Sequence, residues 1–287
     1  MKEFAYFDEP KRGTLRRIDY VGARGFRKYA MVYLPYGYAD ERERRYDILY
    51  LMHGGGGSPD AWLDACPVKN MLDRSFAAGE AEPMIVVFPT FYTDGPRRIP
   101  GVVDEKFEHE SVLTFQREDL TERLLPAVEG VVRGYAERTD PASLKAARAH
   151  RGFGGFSMGG VNTWYAFALH ADYFSRFLPL SGDCWALQVM GGSARPDETA
   201  QYLRESALAL GVGPDDFRIF AATGTADIAC PNLTPQIEAM RRADDYFRFS
   251  EDLTQGNLHW LLGDGLDHSY PSVCQYVYNY LPDLFRG

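Results

Sequence analysis

A chain of 287 residues, 45% hydrophobic and 25% charged, has an ordinary globular composition and is long enough to bury a substantial core. Its formal net charge of −9 argues against nucleic acid and anionic membranes as partners, because both repel an acidic surface. No linker, repeat or low-complexity run divides it, so one domain over residues 1–287 is expected. The N-terminus, Met1 to Pro10, interrupts its short apolar patch with acids and does not read as a signal peptide. A soluble cytoplasmic protein is expected on that basis, with a secreted parent trimmed to this length as the alternative.

The first two strand candidates, Leu15–Tyr20 and Lys28–Leu34, flank Gly22 and Gly25 as in an antiparallel hairpin. The Arg-rich stretch Glu41–Arg45 reads as a solvated turn before the next strand, Asp47–Met52. That apolar strand ends in His53-Gly54-Gly55-Gly56-Gly57, a loop whose backbone can approach a substrate carbonyl closely. No Lys-Ser or Lys-Thr pair follows these glycines, which removes a nucleotide P-loop. A helix near Asn70–Ala78 and a strand at Met84–Phe88 come next, followed by Phe91 and Tyr92 in a strand-end loop. A long helix is expected over Glu118–Arg138, kinked or delayed by Pro126.

The strand Gly152–Phe156 then runs into Gly155-Phe156-Ser157-Met158-Gly159-Gly160, with a helix over Gly160–Leu169. A serine between two glycines at a strand-to-helix turn is a nucleophile elbow: the turn exposes Oγ, and the glycines permit close approach of strand and helix. The helix N-terminus aims backbone N–H groups where an oxyanion would form. We therefore expect Ser157 as nucleophile, with the N–H groups of Gly55 and Met158 as oxyanion donors. No metal or organic cofactor is implied.

An acid and a histidine should follow the serine in that order. Asp183 comes after the strand Phe177–Leu180, and Asp227 after the strand Phe217–Thr223, with helices near Glu198–Leu210 and Thr234–Arg242. Either strand end can supply the acid, and the rigid Gly-Thr-Ala-Asp turn favours Asp227. His268 lies in a Gly/Asp-rich loop between the strand Leu258–Leu262 and a helix over Ser272–Phe285. His259 falls inside that strand and reads as structural. Asp264 and Asp267 read as solvated loop carboxylates.

The alternation of strands and helices demands a mostly parallel sheet covered on both faces. The four cysteines, 66, 184, 230 and 274, lack metal-ligand spacing and read as free thiols, with a Cys184–Cys230 disulfide conceivable after export. Aromatics at strand ends, namely Trp185, Phe91, Tyr92, Phe107 and Tyr270, are candidates for contact with an aromatic acyl group, Trp185 foremost.

Over almost its whole length the chain resembles α/β-hydrolases of the esterase D-like group, and among them the feruloyl esterases of carbohydrate esterase family 1 associated with bacterial xylanases. The resemblance rests on Leu51–Gly57, Phe88–Phe91, His150–Gly160, Thr163–Tyr165, Pro179–Asp183, Ala221–Ala229 and Asn232–Met240. It implies an eight-stranded α/β-hydrolase sheet without a large lid domain, and catalytic positions at Ser157, Asp227 and His268. It further implies hydrolysis of hydroxycinnamoyl esters on arabinoxylan fragments through an acyl-enzyme. Ser269-Tyr270 stands where such esterases carry a tryptophan after the histidine, and Cys184 and Cys230 stand where aromatics are expected. Acetylxylan esterase and S-formylglutathione hydrolase are the rival activities, and an inactive carbohydrate-binding relative is the rival of another class.

Overall fold

The computed structural model describes residues 1–93 and 104–286. Eight strands form one sheet: β1 Thr14–Val21, β2 Arg27–Leu34, β3 Ile48–Met52, β4 Ile85–Phe88, β5 Arg151–Phe156, β6 Arg176–Leu180, β7 Arg218–Gly224 and β8 Leu258–Gly263. Their order is β1-β2-β4-β3-β5-β6-β7-β8. The β1–β2 and β2–β4 pairs are antiparallel, and every later pair is parallel. Each strand lies within about one residue of its expected span: β3 and β4 are fully buried apolar runs, whereas β1 and β2 of the hairpin mix exposed and buried positions.

The helices are α1 Ala61–Ala65, α2 Val68–Ala77, α3 Glu105–Thr114, a π-helical segment Phe115–Leu124, α4 Leu125–Glu129, α5 Pro141–Ala146, α6 Met158–His170, α7 Gly191–Ala194, α8 Pro196–Ala209, α9 Cys230–Arg242 and α10 Tyr270–Tyr280. Strand periodicity divides the core. Ile48, Tyr50 and Met52 of β3 face α3, the π-helical segment, α4, α6, α8 and α9, whereas Leu49 and Leu51 face α1, α2 and α10.

One expectation is corrected. The helix expected over Glu118–Arg138 begins at Glu105, capped by Asp104, whose Oδ1 accepts the Phe107 N–H at 3.2 Å, and it ends at Glu129. Pro126 lies just past the junction where the π-helical winding passes into α4, and the helix neither starts nor stops there. Gly130 and Gly134 then disfavour further helix, and the Arg133 carbonyl accepts the Tyr46 N–H at 2.9 Å instead. The π-helical winding between α3 and α4 has no simple sequence signature. It carries Asp119 inward to pair with buried Lys28 and to accept the Ala23 N–H, so this layer grips the β1–β2 hairpin.

Beneath the sheet centre, Arg151 makes a bidentate pair with Glu129 at 2.6 and 2.7 Å. It also donates to the carbonyls of Leu144 and Tyr173, and Tyr50 Oη donates to Glu129 at 3.0 Å. Both charges are 2% exposed and fully engaged, as burial requires. All four thiols are free, including Cys184 and Cys230.

Candidate active site

β5 lies at the sheet centre between β3 and β6, and its carboxyl end feeds directly into α6. At the junction Ser157 has φ 57° and ψ −115°, a conformation that costs a non-glycine residue energy and needs its surroundings to hold it. The hold is visible. The Ser157 N–H donates to the Leu180 carbonyl at 2.9 Å, and the Ser157 carbonyl accepts the Val161 N–H at 3.0 Å. A Cβ on Gly159 would stand 2.6 Å from the Met52 carbonyl oxygen, and one on Gly155 would stand 2.8 Å from Gly159. Only glycine permits this crossing of strand and helix.

Asp227 follows β7 and His268 follows β8, the two strands at the same end of the sheet. Their loops are tied together: Thr225 N–H donates to the Gly263 carbonyl and Ala226 N–H to that of Leu266. His268 Nε2 lies 2.9 Å from Ser157 Oγ, and its Nδ1 lies 2.6 Å from Asp227 Oδ1. Because Nδ1 faces a carboxylate, it carries the proton, leaving Nε2 free to accept from the serine. Asp227 is completely buried at its side chain. Burial alone would raise its carboxyl, but the bonds from His268 and the Ala229 N–H hold it below the ordinary range.

The structure gives Asp183 a different place. Its carboxylate accepts Trp185 Nε1–H at 2.9 Å and the Gly192 N–H at 2.8 Å, so it fixes the loop that presents the indole. Burial pushes its carboxyl above the ordinary value. His259 is buried in β8, stacked on Phe220, with Nδ1 3.0 Å from the Ser250 carbonyl. Asp267 accepts from the Ser269 and Ser272 hydroxyls at the start of α10.

A cavity of about 670 Å³ opens over Ser157 and His268. Gly54, Gly55, Met158, Trp185 and Tyr270 line it, as do residues not anticipated from the sequence: Glu105, Val161, Met190, Ile228 and Asn232. Ile228, next to Asp227 and 75% exposed, could have been suspected from its neighbour alone. Among the described residues, the N–H groups of Gly55 and Met158 have no acceptor within the chain. Three candidates lie elsewhere. Phe91 and Tyr92 are buried, Tyr92 stacked on His53 and Phe91 tilted against it, and neither lines the cavity. Phe107 stacks on Tyr92 and also stands outside the cavity.

Chemically, the arrangement offers a hydroxyl beside an imidazole, a carboxylate fixing that imidazole, and two free N–H donors. Among the described residues no cluster could hold a metal ion, and no helix is long and apolar enough to cross a membrane.

Comparison with known proteins bears on this geometry. The family model Esterase ("Putative esterase") matches residues 26–260. The chain is 38% identical over 278 residues to endo-1,4-beta-xylanase Y of Acetivibrio thermocellus, covering 96% of this chain and 24% of the relative. It is 26% identical over 203 residues to an endo-1,4-beta-xylanase/feruloyl esterase of Xylanibacter ruminicola, covering 68% of this chain and 24% of that protein. The chain thus spans about a quarter of the length of these curated relatives. A solved mutant of the feruloyl esterase module from Clostridium thermocellum, complexed with sinapinate, superposes with a TM-score of 0.83 at 36% identity, over 100% of this chain and 95% of that one.

Proposed function

The chain belongs to the Esterase family of α/β-hydrolases, and we propose that it is a feruloyl esterase acting on hydroxycinnamoyl esters of arabinoxylan-type fragments. It is a serine carboxylic ester hydrolase. On this reading Ser157 Oγ attacks the ester carbonyl while His268 Nε2 takes its proton, and Asp227 stabilises the imidazolium without accepting that proton. The oxyanion takes hydrogen bonds from the Gly55 and Met158 N–H groups. His268 returns the proton to the leaving sugar alcohol, and water then repeats the sequence on the acyl-enzyme.

The observation that carries this reading is the continuous chain from Ser157 Oγ through His268 to Asp227, with links of 2.9 and 2.6 Å. The acyl preference is supported by the flank of the cavity. Trp185 offers an aromatic face held by Asp183, and Met190 and Ile228 offer aliphatic surface beside it. Initial rates on matched methyl ferulate, methyl p-coumarate and methyl sinapate against aryl acetates test the proposal. The methyl hydroxycinnamates should show the higher kcat/KM once the leaving-group difference is removed. A preference for acetyl groups across the panel would reassign the enzyme as an acetyl esterase.

A further inference from the structure

Three consecutive peptides of the glycine loop face very different partners. The Gly54 N–H donates to Tyr270 Oη at 3.2 Å, and the Gly56 N–H donates to Tyr92 Oη at 2.6 Å. The Gly54 carbonyl is taken by His53 Nδ1 at 2.7 Å and by the Gly57 N–H at 3.1 Å. Between two engaged N–H groups, that of Gly55 remains for the cavity.

The Tyr92 hydroxyl has one proton, and it goes to Glu108, whose carboxylate oxygens lie 2.7 and 2.9 Å away. Glu108 Oε1 also accepts weakly from the Gly56 N–H at 3.3 Å. The carboxyl carbon would stand 3.6 Å from a Cβ placed on Gly55, so this side chain packs against the Gly55 peptide. Glu108 is 5% exposed and lies outside the catalytic cavity. Burying a carboxyl is costly, and the polar contacts that offset it here run to the Tyr92 hydroxyl, which itself holds Gly56, and to the Gly56 N–H. Burial also raises its carboxyl above the ordinary value, against the lowering effect of the Tyr92 hydroxyl and the Gly56 N–H.

We propose that Glu108, acting through Tyr92, is a positioning residue of the ester hydrolysis: it fixes the Gly55–Gly56 peptide so that the Gly55 N–H meets the oxyanion. The inference rests on the reading of Ser157 as nucleophile and Gly55 as donor. A donor displaced from the oxyanion weakens transition-state binding and leaves ground-state binding almost unchanged.

The test uses 4-nitrophenyl acetate, which makes few acyl contacts, and phenylboronic acid, which a nucleophilic serine converts to a tetrahedral adduct. Glu108→Ala should lower kcat by about 10–100-fold with KM nearly constant, and weaken phenylboronic acid by a similar factor. Glu108→Gln keeps an acceptor for Tyr92 and should recover most of both. Should Glu108→Ala not fold, Tyr92→Phe, which keeps the ring stacking, carries the same expectation for kcat and boronate. A folded variant with kcat within about twofold of wild type, or a loss in kcat without a matching loss in boronate affinity, overturns the proposal. Wild-type protein that neither turns over the acetate nor binds the boronate refutes the serine mechanism itself, a separate failure.

Discussion

Asp227→Asn and Asp183→Asn are the sharpest pair of substitutions at the site. Asp227 Oδ1 stands 2.6 Å from His268 Nδ1, and an amide there favours the wrong imidazole tautomer and no longer stabilises the cation. On a small, fast ester Asp227→Asn should lower kcat by about 10³–10⁴-fold with KM little changed. Asp183→Asn should leave kcat on that ester nearly intact and raise KM for hydroxycinnamoyl esters, since Asp183 holds the Trp185 indole and the Gly192 N–H. Steady-state kinetics on both substrates separate the two, and a larger kcat loss from Asp183→Asn would exchange their roles. The positions of Ser157, Asp227 and His268 were legible because each sits in a turn whose glycines and neighbours announce a strand end. Glu108 and Tyr92 were not legible as partners of Gly56. Their meeting depends on where α3 packs against the glycine loop, which no local pattern records.

Between residues and the whole lie the elements, and here the buried pair Arg151–Glu129 is informative. It joins β5, the strand that carries the nucleophile, to α4 in the flanking layer. Glu129→Ala would leave a guanidinium buried without a counter-charge, a change worth about 3–5 kcal/mol. Thermal denaturation should report a drop in Tm of roughly 5–15 °C, with KM on any ester unchanged. A Tm within about 2 °C of wild type would mean that Arg151 finds other partners or water. The strands were readable from their apolar runs, but the α3–π–α4 helix was misplaced by its N-terminal half. Its start depends on the Asp104 cap, and its C-terminal end on Gly130 and on a carbonyl claimed by Tyr46. Both are decisions of packing and capping that Pro126 obscured.

At the scale of the whole molecule, the alternation of strands and helices was enough to foresee one mostly parallel sheet with two covered faces. It also placed the chemistry at the strands' carboxyl ends. The relative rank of the strands was not foreseeable. Strand order is set by which apolar faces complete the two cores, and that is a property of the assembled layers.

That order places β8 at one margin of the sheet, bonded along its length only to β7 among the described residues and braced at its start by Phe249. The nucleophile rides on the innermost strands, whereas the base is mounted just beyond this margin. Fraying of β8 and the His268 loop therefore asks for less free energy than global opening. Inactivation by urea should precede the loss of far-ultraviolet ellipticity. Amide hydrogens of β8 should also exchange with deuterium sooner than those of β3 and β5. Coincident curves for activity and ellipticity would show instead that the margin and the centre open as one cooperative unit.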